Sequence, residues 1–229
     1  MDFQGRNVVV TGGTGVLGAA VVWRLVNAGA QVHVPAIEDE IPTDFGDRVW
    51  VTPGIDLANE AVVNWWYDGL PDLWASIHCA GGFAWRAFGQ TDIHLLDAML
   101  RINLRTAFLC SKAAVRRFQA ASHGGRIVNV ASRQALEPRQ GSGTTAYTAS
   151  KAAVAAFSAA LAEEVASEDI LVNCVAPAIL DTATNRDAMP DADHASWARV
   201  EDVAEVMAFL ASPANNVARG GTIPVYGRS

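Results

Sequence analysis

The tightest constraint on this chain lies in its first eighteen residues. Val8-Val9-Val10, β-branched and apolar, run straight into Thr11-Gly12-Gly13-Thr14-Gly15-Val16-Leu17-Gly18. Residues 7–11 read as a short buried strand, and residues 19–28 as a helix that stops at Gly29. A strand that enters a helix through glycines spaced G-x-x-G-x-x-G has a specific physical use. The turn needs a residue without Cβ, and the backbone must approach a pyrophosphate closely. The N–H groups and dipole of the helix start then hold the negative charge. Thr11, Gly12, Thr14, Gly15, Val16, Leu17 and Gly18 are therefore candidate nucleotide-binding residues.

The rest of the chain continues this rhythm. Strands are predicted at 31–34, 48–52, 73–79, 126–131, 170–175 and 222–225. Helices are predicted between them at 61–67, 91–121, 147–167 and 200–211. Such alternation implies βαβ units: an α/β fold with a single doubly wound parallel sheet, a Rossmann fold. With 51% hydrophobic and 18% charged residues, the chain can bury such a core. Its net charge of −7 argues against nucleic acid or an anionic membrane as partner. No apolar run spans a bilayer, and the N-terminus lacks the charged and apolar regions of a signal peptide. A cytoplasmic location is expected. Cys79, Cys110 and Cys174 are too scattered for a metal site or disulfide framework, and read as reduced thiols.

Lysine is rare. Fifteen of the 17 basic residues are arginines, leaving Lys112 and Lys151. Lys151 follows Tyr147 by four positions in a helical segment, so both share one helix face. An ammonium beside a phenol favours the phenolate and lowers its pKa from about 10, toward a useful general acid or base. Lys112 reads as a solvated helix position.

With these motifs in order, the whole chain resembles the short-chain dehydrogenase/reductase family. The resemblance rests on Thr11–Gly18, Asp56-Leu57, Cys79-Ala80-Gly81-Gly82, Asn103, Ser132 after the fifth strand, Tyr147 with Lys151, and Pro177 through Thr182. It implies one NAD(P)-binding domain over residues 1–229 with a short substrate lid at about 178–199. It also implies a small-molecule substrate and a homodimer or homotetramer through the two long helices. Tyr147 would exchange the proton at the substrate oxygen, and Ser132 would hydrogen-bond that oxygen. Lys151 would bind the nicotinamide ribose, and Asn103 would hold a water relaying protons to Lys151. Asp56 and Leu57 would lie beside the adenine, and Ala80 and Gly81 against its ribose. Pro177, Leu180 and Thr182 would border the nicotinamide, the last two binding its carboxamide. The implied activity interconverts a ketone or aldehyde and an alcohol.

Departures from the family pattern qualify this. Val16 stands where the commoner pattern has glycine; the spacing here looks like that of longer members, whose extra C-terminal domain has no room in this tail. The interval from Ser132 to Tyr147 is longer than usual, so Ser142, Thr144 or Thr145 are alternatives for the hydroxyl role. His78 replaces an asparagine and reads as a packed histidine. The position ending the second strand is Ala36, with Glu38, Asp39 and Glu40 shortly after and no nearby cation. That favours NAD over NADP, because carboxylates repel a 2′-phosphate. Residues 180–193, continuing to Ser196-Trp197, are similar to the tail of dihydropteridine reductases. This keeps an NADH-dependent pterin or imine reductase as an alternative. A non-catalytic nucleotide-binding sensor is a third reading. Phe83, Trp85 and Phe88 are candidates for a substrate mouth, and Arg186 and Trp197 for substrate contact. Trp65-Trp66-Tyr67 reads as core or subunit contact, and Arg116-Arg117 as a solvated face.

Overall fold

The structure, a computed structural model, describes residues 1–39 and 45–229. In chain order the elements are β1 (Asn7–Thr11), α1 (Val16–Asn27), β2 (Gln31–Pro35), β3 (Val49–Thr52), α2 (Glu60–Asp68) and β4 (Leu73–His78). Next come α3 (Ile93–Met99), a π-helical turn (Leu100–Arg105), α4 (Thr106–Ala121), β5 (Gly125–Val130), α5 (Arg133–Leu136) and α6 (Thr145–Glu164). The chain ends with β6 (Ile170–Pro177), β7 (Leu180–Asp181), α7 (Ala183–Ala188), β8 (Ala198–Arg199), α8 (Val200–Ala211) and β9 (Thr222–Val225).

Seven strands pair in the order β3-β2-β1-β4-β5-β6-β9, all parallel. Period-two alternation distributes their side chains between two cores. Val8, Val10, Val32, Val34, Ile77 and Val128 pack with α1 and α8 on one face. Val9, Leu73, Ile127, Ile170 and Val172 pack with α2, α4 and α6 on the other. The doubly wound Rossmann sheet expected from the alternation is thus present. Strand order reverses between β1 and β4, so their carboxyl ends open a crevice where such sheets bind ligands. Among the described residues no helix is long and apolar enough to cross a membrane.

Two features depart from the predicted elements. The single helix expected over 91–121 is broken into α3, the π-helical turn and α4. The extra residue in that turn accompanies Asn103, whose side chain is tied to Gly82 across the crevice. The segment at 178–199 also builds its own two-stranded sheet, β7 with β8. Two-residue strands are too short to leave a periodic pattern.

Candidate active site

The residues singled out in the sequence gather at the carboxyl ends of β1, β4, β5 and β6. Thr11 ends β1. Its Oγ1 accepts from Ala80 N–H at 3.2 Å, and its carbonyl accepts from Cys79 N–H at 3.1 Å, which locks the β1 and β4 turns together. Gly12 has φ +63°, and a Cβ there would stand 2.7 Å from Ala80 N, so only glycine fits. Gly15 caps α1, whose first-turn N–H groups have no intrahelical acceptor and point into the crevice mouth. A cleft of about 860 Å³ runs from Gly12, Thr14 and Gly15 past Ala36, Asp56 and Leu57 to Ala80 and Gly81. Ile37, Ile55 and Ile102 give it apolar walls. A phosphate-binding helix start beside an apolar slot fits a dinucleotide.

The charges in the cleft were only partly foreseen. Asp56 Oδ1 accepts from Ala58 N–H at 2.9 Å, and its Oδ2 takes a hydrogen bond from Arg101 Nη2 at 2.6 Å. Arg101 lines the cleft, and sequence reasoning missed it; its place two residues before Asn103 was the available signal. Glu38 lines the cleft as well, whereas Glu40 lies outside the described residues.

At the inner end, Asn103 is 1% exposed. Its Oδ1 accepts from Gly82 N–H at 2.9 Å, and its Nδ2 donates to Gly82 O at 3.1 Å and Ser150 Oγ at 3.0 Å. These bonds fix the Asn103 side chain between Gly82 and Ser150. Lys151 is also buried, and its Nζ donates to Val130 O at 2.8 Å. Burial pushes its pKa down to about 8. A Cβ on Gly81 would stand 2.7 Å from Asn103 Oδ1 and 3.3 Å from Lys151 Nζ, which shows how closely these groups converge.

The Tyr147 phenol departs from expectation. Its pKa is raised, because burial outweighs the lowering by the neighbouring Ser132 hydroxyl. Lys151 shares the helix face, but its ammonium is directed at the Val130 carbonyl. Ser132 caps α5, directly after β5 and Ala131, at 3% exposure. Its Oγ is buried and has no settled hydrogen-bond partner among the described residues. Of the alternatives, Thr144 Oγ1 is spent on Gly141 O at 3.1 Å and Thr148 Oγ1 at 3.2 Å, and Ser142 and Thr145 are exposed.

Beyond Pro177 at the end of β6, the segment 178–199 is internally bonded. Thr182 Oγ1 caps α7 by accepting from Asn185 N–H, and Leu180 O accepts from Asn185 Nδ2 at 2.8 Å. Arg186 grips Asp181 with two hydrogen bonds, at 2.6 and 2.8 Å. Trp197 is 6% exposed and packs on His194. Arg186 and Trp197 are thus engaged within the segment 178–199 itself. Arg117 also departs from a solvated face, since its Nη2 donates to Leu70 O at 2.8 Å and Pro71 O at 3.1 Å. Of the aromatic triplet, Trp66 and Tyr67 are core while Trp65 is exposed. His78 is packed between Ser76 and Asn129, as expected.

Comparison with known proteins agrees with this geometry. The family model for short chain dehydrogenase matches residues 6–193. L-xylulose reductase of Caenorhabditis elegans is 29% identical, with 99% of this chain and 96% of the relative covered. A short-chain type dehydrogenase/reductase of Picea abies is 30% identical, with 91% and 86% covered. The solved structure of ElxO with NADP bound superposes with a TM-score of 0.88 at 23% identity, covering 98% of each chain, a likeness of fold. The glycine turn, the cleft and these matches together place the chain in the short-chain dehydrogenase family of NAD(P)-dependent oxidoreductases.

Proposed function

We propose that this oxidoreductase interconverts a ketone or aldehyde and an alcohol, with Tyr147 as the proton-exchanging group. The observation that carries this reading is Ser132. A buried hydroxyl with no hydrogen-bond partner among the described residues, close enough to the Tyr147 phenol to offset part of the raising by burial, costs stability unless something else completes its hydrogen bonding. A substrate oxygen meets both groups at once. Ser132 Oγ steadies the charge on that oxygen while the Tyr147 hydroxyl gives or takes its proton. Lys151 keeps its proton at pH 7, and one of its three donors is spent on Val130 O, which leaves the others for the nicotinamide ribose. Asn103 holds Gly82 and Ser150 in place around Lys151. The bound nicotinamide supplies or accepts the hydride.

The helix start at Gly15–Gly18 binds the pyrophosphate, Asp56 and Leu57 border the adenine, and Ala80 and Gly81 its ribose. Pro177, Leu180 and Thr182 border the nicotinamide, under a lid at about 178–199. NAD is the preferred cofactor in this reading. Glu38 lines the cleft beside Ala36, and the Arg101 guanidinium is already neutralised by Asp56. Tighter binding of NADPH than NADH in a calorimetric titration overturns that preference.

Tyr147→Phe is expected to lower turnover at least a hundredfold while leaving NADH affinity within about twofold. Full activity in that variant overturns the mechanism. Turnover of a quinonoid dihydropterin but of no ketone, with activity retained in Ser132→Ala, selects the pterin reading instead. The protein acts in the cytoplasm as a homodimer or homotetramer. Phe108 on α4 is 47% exposed and rests on Phe157 of α6 at 5.4 Å between ring centres, an apolar face suited to a second copy. Light scattering at the 24.3 kDa of a monomer overturns the oligomer.

A further inference from the structure

Three large aromatic side chains stand in solvent on the segment after β4, and the first of them packs on Tyr147. Phe83, Trp85 and Phe88 are 63, 69 and 76% exposed. Singly exposed aromatics are ordinary, but these fall within six residues on the segment that leaves β4. Two of them are fixed in place. The Phe83 ring packs edge-to-face on the Tyr147 ring, with centres 5.0 Å apart and an angle of 75°. Trp85 lies on the loop that leads into α6. Gly143 there has φ +75°, and a Cβ on it would meet Trp85 Nε1 and stand 2.7 Å from Cε2. Arg86 N–H donates to Gly143 O at 2.7 Å, which pins the aromatic segment to that loop. Gly143, having no Cβ, is thus the residue that lets the Trp85 indole lie against this loop.

This arrangement constrains the substrate. A carbonyl oxygen that accepts from Tyr147 Oη sits about 2.7 Å from it, so the groups on its carbon lie within roughly 4–5 Å of the phenol edge. The Phe83 ring borders that space, and the exposed Trp85 ring follows it two residues on, against the loop that leads into α6. In the segment 178–199, Arg186 is engaged with Asp181, Asn185 with Leu180 O, and Thr182 with Asn185 N–H. Arg133, next to Ser132, is held by Glu137 at 2.9 Å. An apolar ring on the substrate would bury itself against the Phe83 face beside Tyr147, where a polyol or keto acid would meet apolar surface.

We propose that Phe83 and Trp85 form a specificity wall, and that the substrates are carbonyl compounds carrying an aryl or alicyclic group, or the matching alcohols. This rests on the hydride-transfer reading above. The test is a series of ketones, acetophenone and cyclohexanone against dihydroxyacetone and pyruvate, followed by NADH or NADPH oxidation. The wild-type protein is expected to show kcat/KM at least tenfold higher for the ring-bearing pair, the scale on which apolar contacts discriminate. Phe83→Ala and Trp85→Ala are expected to cut that ratio roughly tenfold, mainly through KM. Saturation-transfer NMR of acetophenone should show its ring protons in closest contact with the wild-type protein, and that signal should weaken in both variants.

Dihydroxyacetone or pyruvate turned over better than the ring-bearing ketones overturns the proposal. So does a ratio unchanged in two folded variants. The wild-type series is read first, so a variant that fails to fold does not protect the idea. Absence of turnover with every carbonyl, despite measured cofactor binding, overturns the hydride-transfer reading itself and is distinguishable from a wrong preference.

Discussion

A drop in pH through the range 6.5 to 4 is expected to destabilise the fold through one buried side chain, His78. It is 3% exposed, and both ring nitrogens are engaged. Nε2 lies 2.8 Å from Ser76 Oγ, and Nδ1 lies 2.7 Å from Asn129 Oδ1. The surrounding network assigns the proton. Asn129 Oδ1 is an acceptor, because Asn129 Nδ2 donates to Ser158 Oγ, so Nδ1 carries the hydrogen and Nε2 accepts from Ser76. Ser76 Oγ in turn accepts from Tyr67 Oη at 2.8 Å. A second proton on His78 would meet the Ser76 hydrogen and force Ser76 and Tyr67 to reverse. Burial, the larger cause, pushes the His78 pKa down to about 4, against the partial raising by Asn129. The unfolded chain binds this proton near pH 6.5, so between the two values it holds more protons than the folded one. Stability therefore falls as pH drops through the window. At about 1.4 kcal/mol per pH unit the loss reaches about 2 kcal/mol at pH 5 and about 3 kcal/mol below pH 4. Urea unfolding at pH 7, 6, 5 and 4.5 measures it, with His78→Asn as reference. The variant starts less stable but lacks the titrating group, so the difference between the two curves removes the carboxylates common to both. The wild-type protein should lose about 2 kcal/mol more than the variant from pH 7 to 5. Equal losses would refute the assignment.

Two further substitutions test the frame. Gly12→Ala places a methyl group against Ala80 at φ +63°, and should weaken NADH binding roughly tenfold or more by calorimetry while lowering the melting temperature. Affinity within twofold of wild type would contradict the glycine turn as the pyrophosphate site. Arg126→Leu leaves the carbonyls of Asn215, Gly125 and Asp169 without their donor in a site that is 2% exposed, and should cost about 3 kcal/mol in urea unfolding. Its kcat/KM should stay unchanged, because Arg126 lies at the amino end of β5, opposite Ser132.

Much of the frame was readable along the chain, because its causes are local. Val8-Val9-Val10 alternates between two cores because a strand has a period of two. The glycines of residues 12–18 report a tight turn wherever they occur between strand and helix. Tyr147 and Lys151 share a helix face by spacing alone. What those side chains do once there was settled by distant parts of the fold. Lys151 was expected to lower the Tyr147 pKa; in the folded chain Val130 O takes the ammonium, and burial raises the phenol. Ser132 is favoured in the sequence because it directly follows the fifth strand, but that Thr144 is tied to Gly141 and Thr148 could be seen only in the folded chain. Arg186 and Trp197 looked available on a lid, but Asp181 and His194 engage them. Arg126 begins a predicted strand with nothing in the sequence to mark its partners, and the fold buries it against carbonyls 43 and 89 residues away. Periodicity and turn chemistry act between neighbours and are written in order along the chain. Burial and hydrogen-bond partnership depend on which segments meet, and only the packed sheet and helices decide that.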